Sequence, residues 1–118
     1  MSHDPKAIAN YFLDRAADAG DAPTPMKVQK LVYYANGFYL AIFGEPLIDE
    51  QVEAWAYGPV IPSLHREFLE YGNGPITARA THERYVEDPG SGDDRIESTV
   101  PAVDSRDPDF DAVTDLLD

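Results

Sequence analysis

The sequence predicts an α-rich fold of the α+β kind with minor β: a compact helical domain around a long central helix, with a short strand element beside it. Three observations carry this. Two segments open with a capping residue and a proline, then repeat apolar residues at helical spacing. One short run, Glu50 to Tyr57, alternates weakly and carries Val52, Trp55 and Tyr57, as a strand would. The composition, 43% hydrophobic and 26% charged over 118 residues, is that of one globular domain.

The first helix is expected from Pro5 to Ala19. Asp4 suits the N-cap and Pro5 the first helical position. Ile8, Tyr11, Phe12, Ala16 and Ala19 make one apolar stripe, and Gly20 follows as a stop. The second helix starts at Thr24-Pro25 and ends at Gly44 and Pro46. Val28, Leu31, Val32, Ala35, Phe38, Tyr39, Ile42 and Phe43 give it a wide apolar face. Tyr33, Tyr34 and Leu40 lie off that face, so the helix reads as apolar nearly all round and hence central and buried. Gly37 inside it costs about 1 kcal/mol relative to alanine in an exposed helix, which a close crossing by another segment or simple tolerance would explain.

After the strand run, Gly58-Pro59 reads as the corner of the chain. A third helix begins at Pro62, with Ser63 helping to cap its N–H groups. Leu64, Phe68 and Leu69 face inward and Tyr71-Gly72 closes it. Gly74-Pro75-Ile76 is loop-like. Residues 87–95 are acidic, rich in turn residues and expected to be a mobile loop. Ile96 to Val100 fits a short strand, and Asp104 to Asp109 a loop. Phe110, Val113, Leu116 and Leu117 then begin an amphipathic helix capped by Asp109. That helix reaches Asp118 uncapped, with Asp115 and Asp118 at its carboxyl end against the helix dipole. Either the sequence shown stops early, without a last helix and tail, or something else completes the helix.

Composition excludes several functions. No run of about 18 apolar residues is present to span a membrane, and the polar start from Met1 to Pro5 lacks the apolar core of a signal peptide. Without cysteine there are no disulfides or thiolate metal sites, and a reducing cytoplasm fits best. Nine basic against 22 acidic residues give a net charge of −13. Most of it lies beyond residue 60, and direct binding to nucleic acid is not expected of such a surface. The acids fit equally a solvated face or attraction to a basic partner.

Catalytic patterns are missing. His3, His65 and His82 have no shared-metal spacing. No serine lies in a nucleophile elbow, Asp93-Asp94 sits in the acidic loop, and the glycines form no phosphate cradle. No enzyme activity, cofactor or metal is expected. The aromatics say more. Tyr33, Tyr34, Tyr39, Trp55, Tyr57 and Tyr71 cluster in the central third, and tyrosine and tryptophan anchor protein interfaces. Any one of them can equally be a core residue with its polar tip at the rim. Tyr33 and Tyr34 point about 100° apart on one helix, so both cannot face one core layer.

Three blocks of sequence then form a pattern. The first holds Lys27, Gln29, Lys30, Leu31, Tyr33, Tyr34 and Ala35, followed by Gly37. The second is Gly44-Glu45-Pro46-Leu47. The third holds Glu53, Trp55, Tyr57, Gly58, Pro59, Val60 and Pro62, then Tyr71-Gly72 and Pro75-Ile76. In this order, over about residues 5–76, they resemble the Panacea domain, the family of SocA-like antitoxins and phage-associated proteins. The chain departs from that family in lacking a further Tyr-Gly, a Leu…Thr-His stretch and a late tryptophan, and its acidic region from 87 to 109 has no evident counterpart.

The resemblance implies a cytoplasmic binding protein: an antitoxin that neutralises a cognate protein toxin by direct contact. Alternatives are an adaptor delivering the toxin to a AAA+ protease, or a phage-associated protein binding a host factor. The family pattern defines no contact site. The aromatic cluster and the negative charge suggest one formed by Tyr33, Tyr34, Trp55, Tyr57, Arg66 and Tyr71, bordered by Glu50, Glu53, Glu67 and Glu70. Trp55 itself reads more readily as a core anchor, so specificity is expected outside the motif.

Overall fold

The computed structural model describes residues 2–87, 89–90, 92, 94–103 and 110. Among these residues three helices of more than one turn, α1 (Pro5–Asp18), α2 (Pro25–Phe43) and α3 (Pro62–Phe68), are accompanied by two antiparallel hairpins. The first pairs β1 (Glu53–Trp55) with β2 (Gly58–Val60); the second pairs β3 (His82–Val86) with β4 (Arg95–Thr99). The fold is therefore mixed α+β, with two hairpins where single short strands, near Trp55 and at Ile96 to Val100, are expected.

The helix starts follow their caps. The Asp4 carboxylate accepts from the Lys6 N–H at 2.9 Å, and the Thr24 hydroxyl accepts from the Lys27 N–H at 3.3 Å. Gly44 ends α2 in the left-handed conformation at φ 75°, open to glycine without strain. At α3 the residue before Pro62 is Ile61, which has no side-chain oxygen to offer. Glu50 supplies one from outside: its carboxylate accepts from the Ser63 N–H at 3.3 Å and from the Ser63 hydroxyl at 2.7 Å. Ser63 thus donates its hydroxyl rather than capping with it.

The core forms where these elements converge. Ile8 and Phe12 of α1 meet Val28, Val32, Ala35 and Tyr39 of α2 and Leu64 and Phe68 of α3, with Leu47, Ile48, Ile61 and Ile76 closing the gaps. Each of the larger aliphatic and phenylalanine side chains here, fully buried, contributes about 1.5–3 kcal/mol. The backbone polar groups brought in with the loops are met by side-chain amides. The Asn36 Oδ1 accepts from the N–H groups of Leu47 and Ile48, at 2.9 and 3.3 Å, which seats the loop after α2. Gln29 does the same for the segment entering α3: Nε2 donates to the Ile61 carbonyl at 3.0 Å and Oε1 accepts from the Ile61 N–H at 2.9 Å. Unmet, these buried groups would cost more than the bonds return.

Several expectations are corrected. The helix α2 is not enveloped: α1, α3 and β2 contact it, and only Val28, Val32, Ala35 and Tyr39 are buried on it. Phe38, Leu40, Ile42 and Phe43 face solvent. Among the described residues, none outside the helix's own turn comes within 4 Å of where a Gly37 Cβ would stand, so no described segment crosses there. Gly58-Pro59 is not the corner but the start of β2; Ala56 and Tyr57 make the turn, and Gly58 at φ 114° provides the left-handed residue that closes it. Leu69 lies in a 3-10 turn, Leu69–Tyr71, and is 63% exposed. Ala19 is an exposed C-cap rather than part of the buried stripe.

Strand β4 falls where a short strand is expected, but its partner β3 carries charged and polar residues with no apolar alternation to reveal it. Residues 87–94 connect the two. Asp88, Ser91 and Asp93 of the acidic stretch, the expected loop at 104–109 and the expected helix beyond Phe110 lie outside the described residues. Phe110 itself is buried, its ring edge-on to Tyr11 at 4.8 Å.

Candidate partner-binding surface

The first half of α2, the β1–β2 hairpin and α3 enclose a groove of about 490 Å³. Met26 and Lys30 stand on the α2 wall, Trp55, Tyr57 and Pro59 on the hairpin wall, and Leu69 on the floor toward the 3-10 turn. Its shape follows from local rules. The two-residue turn at Ala56-Tyr57 throws both residues outward, and Pro59, which has no N–H to donate, occupies the middle of a strand on the surface. The Gln29 amide, hydrogen-bonded to Ile61, fixes the distance between the α2 wall and the segment that carries β2 into α3.

Trp55 is not a core anchor. It is 38% exposed, its ring edge-on to His65 at 4.8 Å, and its indole N–H donates to the Glu53 carboxylate at 3.1 Å. Tyr57 is 91% exposed and shares the groove with it. Tyr33 stands one helical turn beyond Lys30 on the same side of α2. Tyr34 adjoins it, the ring centroids 5.7 Å apart and both rings in solvent. Arg66 is exposed on α3 and forms no ion pair among the described residues.

Tyr71 lies elsewhere. Half-buried against Phe68, it lines a polar depression with Lys6, Glu67 and Arg79. The structure thus brings Trp55 and Tyr57 together, sets Tyr33 and Tyr34 beside them along α2, and separates Tyr71.

The acidic border is largely occupied with structural work. Glu50 caps α3, and Glu67 binds Lys6 at 3.2 Å and the Thr81 N–H at 3.0 Å. Sequence reasoning did not include Met26 and Leu69, which expose apolar surface in the groove. Nothing in a helical stripe distinguishes an apolar residue facing the core from one facing an unfilled groove.

The family described as Antitoxin SocA-like, Panacea domain matches residues 28–104. The chain belongs to this family. It is 42% identical over 80 residues to Antitoxin SocA of Caulobacter vibrioides (strain NA1000 / CB15N), a match covering 68% of this chain and 43% of the relative. The chain therefore aligns with less than half the length of that curated relative. No solved structure matches it. The family match runs past Ile76 to residue 104, so the second hairpin and the acidic connection belong to the Panacea span as well. No helix among the described residues is long and apolar enough to cross a membrane.

Proposed function

We propose that this chain is an antitoxin that binds and neutralises a cognate protein toxin in the cytoplasm, without catalysis of its own, and that the Trp55–Tyr57 groove is part of the contact. Membership of the SocA-like antitoxin family supports the class. The observation that carries the site is Tyr57: a large aromatic side chain held 91% in solvent at the rim of an apolar groove. Rigid aromatic rings beside a preformed concavity are what interface hot spots are made of. The test is growth rescue. The chain is co-expressed with the polypeptide encoded in the adjacent reading frame, in a host that this polypeptide arrests. Rescue by the wild type and its loss in Trp55→Ser/Tyr57→Ser at equal antitoxin level supports the reading. Equal rescue by both sets the groove aside, and no arrest or rescue with any neighbour overturns the antitoxin role.

A second reading is a proteolytic adaptor that also engages a AAA+ protease. Such a role needs a surface in addition to the toxin contact. The outer side of α2, with Tyr34, Phe38 and Ile42 exposed at successive turns, is available for one. Toxin decay in a reconstituted protease reaction, with and without this chain, separates delivery from simple inhibition.

A further inference from the structure

The β3–β4 hairpin has a firmly held base and one bare face. At the base, a single side chain grips both ends. The buried Asn10 Oδ1 accepts from the Ala80 N–H at 2.7 Å, while its Nδ2 donates to the carbonyls of Ala80 and Pro101, both at 3.0 Å. Lys6 and Glu67 add hydrogen bonds to the Thr81 carbonyl and N–H, and His82 is paired with Asp4. Beyond that base the hairpin is a two-stranded ribbon with no third strand among the described residues, a structure of marginal stability by itself.

Its two faces differ in chemistry. The register pairs His82 with Thr99, Arg84 with Glu97 and Val86 with Arg95 on one face. There both arginines share Glu97, at 3.5 and 2.9 Å, so the positive charge is partly met on the hairpin itself and this face keeps a basic excess. The other face pairs Glu83 with Ser98 and Tyr85 with Ile96, and Val100 follows in the same alternation. Tyr85 is 59% and Ile96 68% exposed. Val100 also lines a groove of about 740 Å³ against Leu13, Ala17, Pro23 and Ile76, which continues the apolar surface onto the body of the domain. Around it the charges are acidic. Glu83 and Glu87 form no ion pair among the described residues, Asp94 accepts from the Tyr85 hydroxyl at 2.5 Å, and Arg79, the basic residue of that groove, is paired with Asp14 at 2.7 Å.

We propose that this face of the hairpin is a docking surface for a protein patch with an apolar centre ringed by lysine and arginine, carried by the toxin. This inference rests on the antitoxin reading. Charge complementarity selects the occupant: a second copy of this chain, itself at −13, would place acid against acid. The apolar centre supplies contact area, and the unneutralised acids supply attraction and register.

The experiment is a calorimetric titration of the adjacent-frame polypeptide into three folded forms: wild type, Tyr85→Ser/Ile96→Ser and Glu83→Lys/Glu87→Lys. Arg84→Ser on the opposite face serves as control. Each hairpin-face variant is expected to weaken binding by about tenfold or more, and the charge-reversal variant to show a weaker salt dependence than the wild type. The control is expected to bind as wild type does. If the serine variant fails to fold, the charge-reversal variant decides. Hairpin-face variants that bind as tightly as wild type overturn the proposal while leaving the antitoxin role standing. A wild type that binds no neighbour-encoded polypeptide overturns both.

Discussion

Gln29 shows what a motif residue does when the motif names no chemistry. It sits in the pattern that marks the family, yet its amide spends both its polar ends on the backbone of Ile61. Gln29→Ala would strand a part-buried donor and acceptor, and we expect a loss of about 1–3 kcal/mol in urea denaturation. Tyr57 is the converse. At 91% exposure it contributes little to the fold, so Tyr57→Ser should shift stability by no more than about 0.5 kcal/mol while weakening partner binding. Together the two substitutions separate scaffold from surface within one motif. A titration provides a third check. The Arg95 guanidinium, through a hydrogen bond and then its charge, holds the Glu97 carboxyl below its ordinary value, with Arg84 adding to the effect. A depressed carboxylate favours the folded hairpin at neutral pH. That contribution disappears as pH falls through its lowered range, and carboxyl NMR should place Glu97 below the exposed glutamates. Tyr85 behaves in the opposite sense. Its hydroxyl donates to Asp94, which raises its pKa, so its contribution is present below the ordinary tyrosine value and lost as pH rises through the raised one.

At the scale of elements, the helices were legible because their signals are local. Asp4-Pro5 and Thr24-Pro25 combine a side-chain cap with a fixed φ, and both helices begin there. The second half of α2 misleads for a physical reason. An apolar circumference records that a helix is to be covered, not whether this chain covers it, and Phe38 and Ile42 are exposed here. The turn of the first hairpin was misplaced because Gly58-Pro59 looks like a corner in isolation. Its true role, left-handed closure followed by a strand without an N–H, depends on Trp55 pairing back with Gly58. Strand β3 was invisible because a ribbon exposed on both faces needs no alternation. Of the candidate site, Trp55 and Tyr57 were legible as aromatics near a Gly-Pro. Their union with Met26 and Leu69 was not, since it requires three elements to meet. Asn10 ties one helix to both ends of the second hairpin, so Asn10→Ala should speed amide hydrogen exchange across residues 82–99 more than in α2. Uniform change throughout the chain would contradict this division of roles.

For the whole molecule, the charge of −13 is unevenly spent. Glu50, Glu67, Asp4 and Asp14 are engaged in caps and pairs that hold the fold together. Others, Glu83 and Glu87 among them, form no ion pair among the described residues of the second hairpin and its surroundings. An acidic molecule with aromatic and apolar surface in solvent is suited to a basic partner, whose approach its field would speed. Association with such a partner should slow as salt rises and the Debye length falls below about 10 Å. The proposed toxin contact at the Trp55–Tyr57 groove joins these scales. Its most direct test is a binding titration between the purified chain and the adjacent-frame polypeptide, run beside Trp55→Ser/Tyr57→Ser with folding verified by circular dichroism. A saturable complex with the wild type and affinity lowered by about tenfold or more in the folded variant are expected; a folded variant that binds as tightly as the wild type would rule out the groove as the contact.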